Sequence, residues 1–184
     1  MSRKEALELL KKYIKNDRMI AHCIASEAVM RNVAILLNQD AEKWALAGLL
    51  HDIDVEITNG DPYLHALEAE NILKPLNVDD KIIDAIKMHN EVAAGIPRST
   101  TFQFALACSE TITGLITATT MVYPDKKVSS VKPSSVVKRM KEKHFAASVK
   151  RENILECEKI GIPLPQFAEI AIKAMCSVSD EIGL

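Results

Sequence analysis

The sequence predicts an all-α fold, a single-domain bundle of about eight helices running through the whole chain, residues 1–184. Three observations predict it. Apolar residues recur three and four positions apart in each long segment, helix-starting residues stand just ahead of those segments, and no segment shows the sustained alternation of a half-buried strand.

Ser2 with Glu5 three residues on is a capping-box pair, and Ala6, Leu9, Leu10 and Tyr13 follow at helical spacing, so a first helix of about three turns is expected. Asn16-Asp17 caps a longer second helix carrying Ile20, Ile24, Ala28, Val33 and Leu37, with His22 in its first turns. Asp40 caps a third helix from Ala41 to about Leu50. Its apolar surface, from Trp44 through Leu50, goes nearly all round, which marks a buried helix, and it delivers His51 and Asp52 from its C-terminal end. Asn59-Gly60 is a turn, and Asp61-Pro62 predicts a helix start with His65 one turn on. A helix from about Asp79 through Ile82, Ile83, Ile86 and Met88 ends near His89, and Glu91 to Thr101, with Gly95 and Pro97, reads as a loop. Phe102 to Thr120 is again helical and apolar. Glu110 lies within it among Ala107, Cys108, Ile112 and Leu115, where an ionised carboxylate needs a partner or a metal. After a long loop, Tyr123 to Pro133, helices are expected over Ser135 to about Ser148 and Glu152 to Ile160. Gly161-Ile162-Pro163 breaks the chain before a last helix from Gln166 to about Val178.

With 48% apolar residues, 184 positions suffice for one domain with a sizeable core. The net charge is −2 and the charges are evenly spread, so a nucleic-acid polymer is not an expected partner. One Trp, three Tyr and four Phe are too few for a platform that stacks single strands. Cys23, Cys108, Cys157 and Cys176 show no C-x-x-C or zinc-finger spacing and no signal peptide precedes them, so they read as reduced thiols of a cytoplasmic protein. No run approaches the ~20 uninterrupted apolar residues of a membrane span, and no membrane partner is expected.

Four of the five histidines fall between positions 22 and 89, each near a helix end or in an apolar stretch. Imidazoles and carboxylates are the ligands of Zn, Fe, Mn, Ni and Co, and they surround an ion only by converging from separate elements. His22, His51, Asp52, His65 and His89 therefore read as a candidate site for a divalent transition metal. His144, beside Lys143 on a charged stretch, reads as a surface residue. Cys23 points about 100° away from His22 around its helix and reads as core.

The order H-x28-HD-x12-H-x23-H-x20-E, with Ala47-Gly48-Leu49-Leu50-His51-Asp52-Ile53-Asp54 around its centre, resembles the HD-domain metal-dependent phosphohydrolase superfamily, in the branch with the His-Asp-Ile-Gly motif. Glu110 to Ile116 and Lys143 to Arg151 extend the likeness, which covers about residues 18 to 155. The resemblance implies that His22, His51, Asp52 and Glu110 bind one metal and that His65 and His89 bind a second, with Asp52 between the two. Two departures stand out. Glu110 replaces the usual Asp, and Asp54 stands where the motif has Gly, placing a further acid, with Glu56, beside the site.

The implied activity is hydrolysis of a phosphoester or phosphoanhydride in a small phosphorylated molecule, a nucleotide in the first instance, by metal-activated water, with Asp52 and His51 at the centre of catalysis. Arg98, Lys87, Lys150 and Arg151 are the candidate cations for the substrate phosphate, and a homodimer is left open. The resemblance also carries two other readings, a mixed-valence di-iron oxygenase and a non-catalytic metal-dependent binding module. The chain contains no Gly-Tyr-Pro signature of cyclic di-GMP phosphodiesterases, and no second synthetase-like domain.

Overall fold

The structure, a computed structural model, describes residues 1–184 and contains helices and turns but no strand. Eleven α-helices follow in order: α1 (Arg3–Tyr13), α2 (Asp17–Leu36), α3 (Ala41–Leu50), α4 (Glu68–Leu73), α5 (Asp80–His89), α6 (Glu91–Ala94), α7 (Thr101–Met121), α8 (Pro133–Arg139), α9 (Arg151–Leu155), α10 (Leu164–Cys176) and α11 (Ser179–Ile182). Short 3-10 turns lie at Lys74–Leu76, Val128–Ser130 and Glu156–Ile160. The starts of the long helices are set by side chains that satisfy otherwise orphaned N–H groups. Ser2 with Glu5 and Thr100 with Gln103 form capping boxes, and Asn16, Asp40 and Asp79 cap α2, α3 and α5.

The departures from the sequence expectation have local causes. Asp61-Pro62 starts no sustained helix. Asp61 instead closes a turn onto the Tyr63 N–H at 2.8 Å, and residues 51–67 remain a succession of turns. Ala66 sits at φ +80°, a left-handed conformation no helix can pass through, so α4 begins only at Glu68. The expected helix to Ser148 ends at Arg139. Residues 140–149 are turns held by Arg151, whose guanidinium donates to the carbonyls of Ala146 and Val149, at 2.6 and 2.7 Å, and of Phe145. The segment expected to run helical from Glu152 to Ile160 divides into α9 and a 3-10 turn, and the loop after His89 holds the one-turn α6, which Gly95 closes at φ +70°. These short pieces raise the helix count above eight.

α2 is the axis of the core, with α3, α7 and α10 packed on it. By length and composition α2 could cross a membrane, but ten of its residues are buried inside the protein, which accounts for its apolarity. α3 crosses α2 so closely that a Cβ on Gly48 would lie 2.6 Å from the Ser26 carbonyl oxygen. That contact sets the site: one turn further along α3 comes His51, and one turn back along α2 comes His22. Trp44 stacks on Phe102 with ring centroids 5.0 Å apart, fixing α3 against α7. Arg3 ties the termini together, reaching the buried Glu27 of α2 at 2.7 Å and Glu181 of α11 at 2.9 Å.

Candidate metal centre

Four histidines from α2, the end of α3, the turn segment and α5 meet around one carboxylate. His22 Nε2 and His51 Nε2 are 3.1 Å apart and lie 3.6 and 3.3 Å from Asp52 Oδ2. His65 Nε2 and His89 Nε2 are also 3.1 Å apart, at 3.0 and 3.5 Å from Asp52 Oδ1. Each oxygen of Asp52 thus faces one pair of imidazoles. These are two groups of three donors, each compact enough to share an ion. Donors ~2.0–2.2 Å from a metal stand about 3.0 Å apart at a right angle and about 3.4 Å apart at the tetrahedral angle, so the spacing fits.

The far side of each ring decides which nitrogen faces inward. His51 Nδ1 donates to the Gly48 carbonyl at 2.9 Å, and His89 Nδ1 to the Ile86 carbonyl at 2.6 Å. Both are carbonyls of a helix's last turn, which have no partner within the helix. Thr113 Oγ1 donates its proton to the Glu110 carbonyl at 2.7 Å and therefore accepts from His22 Nδ1 at 2.9 Å. His65 Nδ1 donates to Asp54 Oδ1 at 2.8 Å. With Nδ1 engaged in all four, each Nε2 faces its neighbour and Asp52. Two such nitrogens 3.1 Å apart share a cation, a proton or a metal, and outer hydrogen bonds of this kind orient metal-binding imidazoles, so the residues fit metal ions.

Asp54, expected as a further acid beside the site, is fully buried and adjoins the site from behind His65. Its second oxygen accepts the N–H of Ala66 at 2.8 Å and of Ala69 at 3.2 Å. It therefore caps the start of α4, which has no side-chain cap at its own N-cap residue, and holds the left-handed Ala66 in place. Glu56, expected beside it, is not at the site. It accepts the backbone N–H groups of Lys15 and Asn16 at 2.9 and 2.8 Å and so fastens the turn segment to the start of α2.

Electrostatics make the two pairs unequal in the metal-free protein. Burial, joined by the nearby His51, pushes His22 down to about 4. Burial also opposes charging of His65, but hydrogen bonds to Asp52 and Asp54 outweigh it and hold that ring up at about 10. Asp52 is buried, yet the surrounding imidazoles keep it well below the usual carboxylate range. Glu110, from α7, is pushed up to about 7 by burial. Its Oε2 lies 3.9 Å from His22 Nε2, at the edge of the first group, and its other oxygen takes the Thr111 hydroxyl.

A cavity of about 300 Å³ opens onto His22, Asp52, His65, His89 and Glu110, with Asn90, Thr111, Ser148, Lys150 and Asn153 on its other walls. Of the four cations expected to serve a phosphate, only Lys150 lines it. Lys87 pairs with Glu70 at 2.6 Å, and Arg151 is spent on backbone carbonyls. Arg98 is buried, donating to the carbonyls of Met88 and His89 at the end of α5, to Glu156 and to Asn153 Oδ1. That last bond turns the Asn153 amide so that its NH₂ points to Thr111 Oγ1, 3.4 Å away on the cavity wall. His144 is exposed and Cys23 is buried in the core.

Residues 19–117, more than half of the chain, match the HD domain family. The chain belongs to the HD-domain family. The match takes in His22, His51, Asp52, His65, His89 and Glu110 and stops short of the tail around Lys143 to Arg151. HD domains are largely metal-dependent phosphohydrolases that bind divalent cations. No solved structure matches the chain.

Proposed function

We propose that this HD domain is a metal-dependent phosphohydrolase, cleaving a phosphoester or phosphoanhydride of a small molecule. The observation that carries the reading is the placement of two Nε2 pairs on the two oxygens of Asp52, on the wall of a cavity that Lys150 also lines. His22, His51, Asp52 and Glu110 would hold one divalent ion and His65, His89 and Asp52 a second, drawn from Fe, Mn, Ni, Co and Zn on the grounds of a mixed imidazole and carboxylate set. When bound, such a pair lowers the pKa of a shared water and neutralises charge on attacking and leaving oxygens at phosphorus.

The chain's own groups supply the rest. Lys150 faces the space where phosphate oxygens would lie, Arg98 keeps the Asn153 amide turned toward Thr111 on the same wall, and Asn90 spends its amide NH₂ on the carbonyls of Pro62 and His65. Lys150 enters no ion pair with a protein carboxylate, so its charge is available to a substrate anion. The unpaired, buried thiols of Cys23, Cys108 and Cys157 fit the reducing setting of a cytoplasm.

The test is Asp52→Ala in protein loaded anaerobically with Mn²⁺ or Fe²⁺ and assayed on a panel of phosphorylated metabolites. Because Asp52 touches both pairs, hydrolysis should fall by at least a hundredfold while the helical signal in circular dichroism persists. Hydrolysis near the wild-type rate in a metal-free Asp52→Ala protein would overturn the proposal. Oxygen uptake in proportion to product would assign the centre to oxidation instead.

A further inference from the structure

A second cleft, of about 630 Å³, opens directly beside the metal cavity and shares His22, Gly114, Ser148 and Val149 with it. It follows the groove between α2 and α7. Arg18, Ala21 and Ala25 line it at helical spacing from α2, and Gly114, Ala118 and Met121 do so from α7. From Gly114 to Met121 the groove is about 10 Å long at the helical rise of ~1.5 Å per residue. Eight of its fourteen lining residues are apolar and none is Phe, Tyr or Trp, and the metal cavity has none of these either. At the solvent end stand Arg18, which has no carboxylate partner, and Met121, which is half exposed.

We propose that this cleft seats the organic part of the substrate and that this part is a single aliphatic chain, making the substrate an alkyl-type phosphoester rather than a nucleotide. The proposal rests on the phosphohydrolase reading above. Its argument is continuity and wall chemistry. A phosphate held at Lys150 and the metal pairs has two ways to point its substituent, and the one past Gly114 leads into a trough floored by alanine methyl groups. Gly114 leaves the passage wider by a methyl group, since a Cβ there would fill the space up to Val149 Cγ2, 3.4 Å away. A nucleobase is recognised above all by stacking on aromatic rings, and neither the trough nor the metal cavity offers one. A methylene chain needs only close apolar contact, and each methylene buried should strengthen binding about fourfold. The length of the groove fits one medium chain, not the two long chains of a membrane lipid.

Non-hydrolysable alkylphosphonates from methyl to octyl, titrated into the full chain loaded with Mn²⁺, test this by calorimetry. The dissociation constant should fall about three- to fourfold per methylene until the groove is filled. Ala118→Phe, which narrows the trough away from every metal-facing side chain, should flatten that series without changing metal content or methylphosphonate affinity. Ala21→Phe on the opposite wall should do the same, which guards against misfolding of either variant. Affinity independent of chain length, a slope that survives both variants, or a nucleoside phosphonate that outbinds every alkyl compound would overturn the proposal. So would a fall in sedimentation mass on Ala118→Phe, which would make the cleft a contact between copies. If alkylphosphonates bind with the expected slope but no alkyl phosphate is hydrolysed, the cleft assignment stands and the phosphohydrolase reading falls. Hydrolysis without any dependence on chain length has the opposite meaning.

Discussion

Replacing Asp54 by Asn separates the second imidazole pair from the first and tests how the site is oriented. The carboxylate satisfies three donors, His65 Nδ1 through one oxygen and the N–H groups of Ala66 and Ala69 through the other. An amide has the same shape but one accepting oxygen. Turned toward the two backbone N–H groups it satisfies the greater number, and its NH₂ then faces His65 Nδ1. The imidazole answers by moving its proton to Nε2, so that the ring presents a donor where it had presented a lone pair. Charge-assisted bonds become neutral ones, at a cost of about 1–2 kcal/mol, which for a chain of this size lowers the melting temperature by about 2–8 °C. The metal effect is larger, because loss of an orienting partner lowers affinity about 10- to 100-fold, and here only for the ion held by His65 and His89. Elemental analysis should read one tightly held ion, and ¹⁵N spectra of the imidazoles should show His65 alone with an altered tautomer. If Asp54→Asn holds two ions with wild-type affinity, or loses both together, Asp54 does not orient the second pair.

Lys150→Ala should raise KM or weaken phosphate binding by about tenfold with metal content unchanged, as loss of a charge-assisted contact implies. Arg151→Ala, by contrast, removes bonds to the carbonyls of the 140–149 turns and should lower the melting temperature by several degrees, read by calorimetry, while leaving the metal-facing imidazole signals in place. The pH dependence follows from His65. In the metal-free protein its pKa is raised from 6.5 to about 10, so it contributes stability fully present below pH 6.5 and lost as the pH climbs through 10. An ion entering the second pair at pH 7–9 must displace that Nε2 proton. Titrations in buffers of different ionisation enthalpy should therefore show a proton released at the second site, and the release should vanish above pH 10.

Most of what positions the site was legible because it is carried by regular helices. Apolar spacing and caps placed α2, α3, α5 and α7, and the ordered His and Asp residues could then converge. What was not legible lies where long-range contacts override local signals. Nothing around Asp61-Pro62 announces that the chain must turn through a left-handed Ala66, because the reason is the Asp54 carboxylate twelve residues earlier. The 140–149 turns were read as helix because their composition is helix-compatible, and the determinant is Arg151 gathering their carbonyls. Charge alone also could not sort the four cations, since what sets Lys150 apart from Arg98, Lys87 and Arg151 is that protein acceptors already stand beside the other three. Asn153 gave no signal at all, being an ordinary residue in a short helix.

The two imidazole pairs share one construction. Each joins a histidine at a helix's C-terminal end, His51 or His89, with a histidine from another element, His22 or His65. The helix-end rings are fixed locally, because a carbonyl three residues back is available in any last turn. The other two depend on distant partners, and those differ in kind. His22 leans on the neutral hydroxyl of Thr113, and His65 on the charge of Asp54. A carboxylate behind an imidazole raises its basicity toward a proton and a metal alike, whereas a hydroxyl that has already given its proton to a carbonyl orients without adding charge. The departure of this chain from the His-Asp-Ile-Gly motif that it resembles, Asp for Gly at position 54, thus falls on the half of the site that has no regular helix to hold its second histidine. There the carboxylate does by charge and by capping what α2 does for His22 by packing.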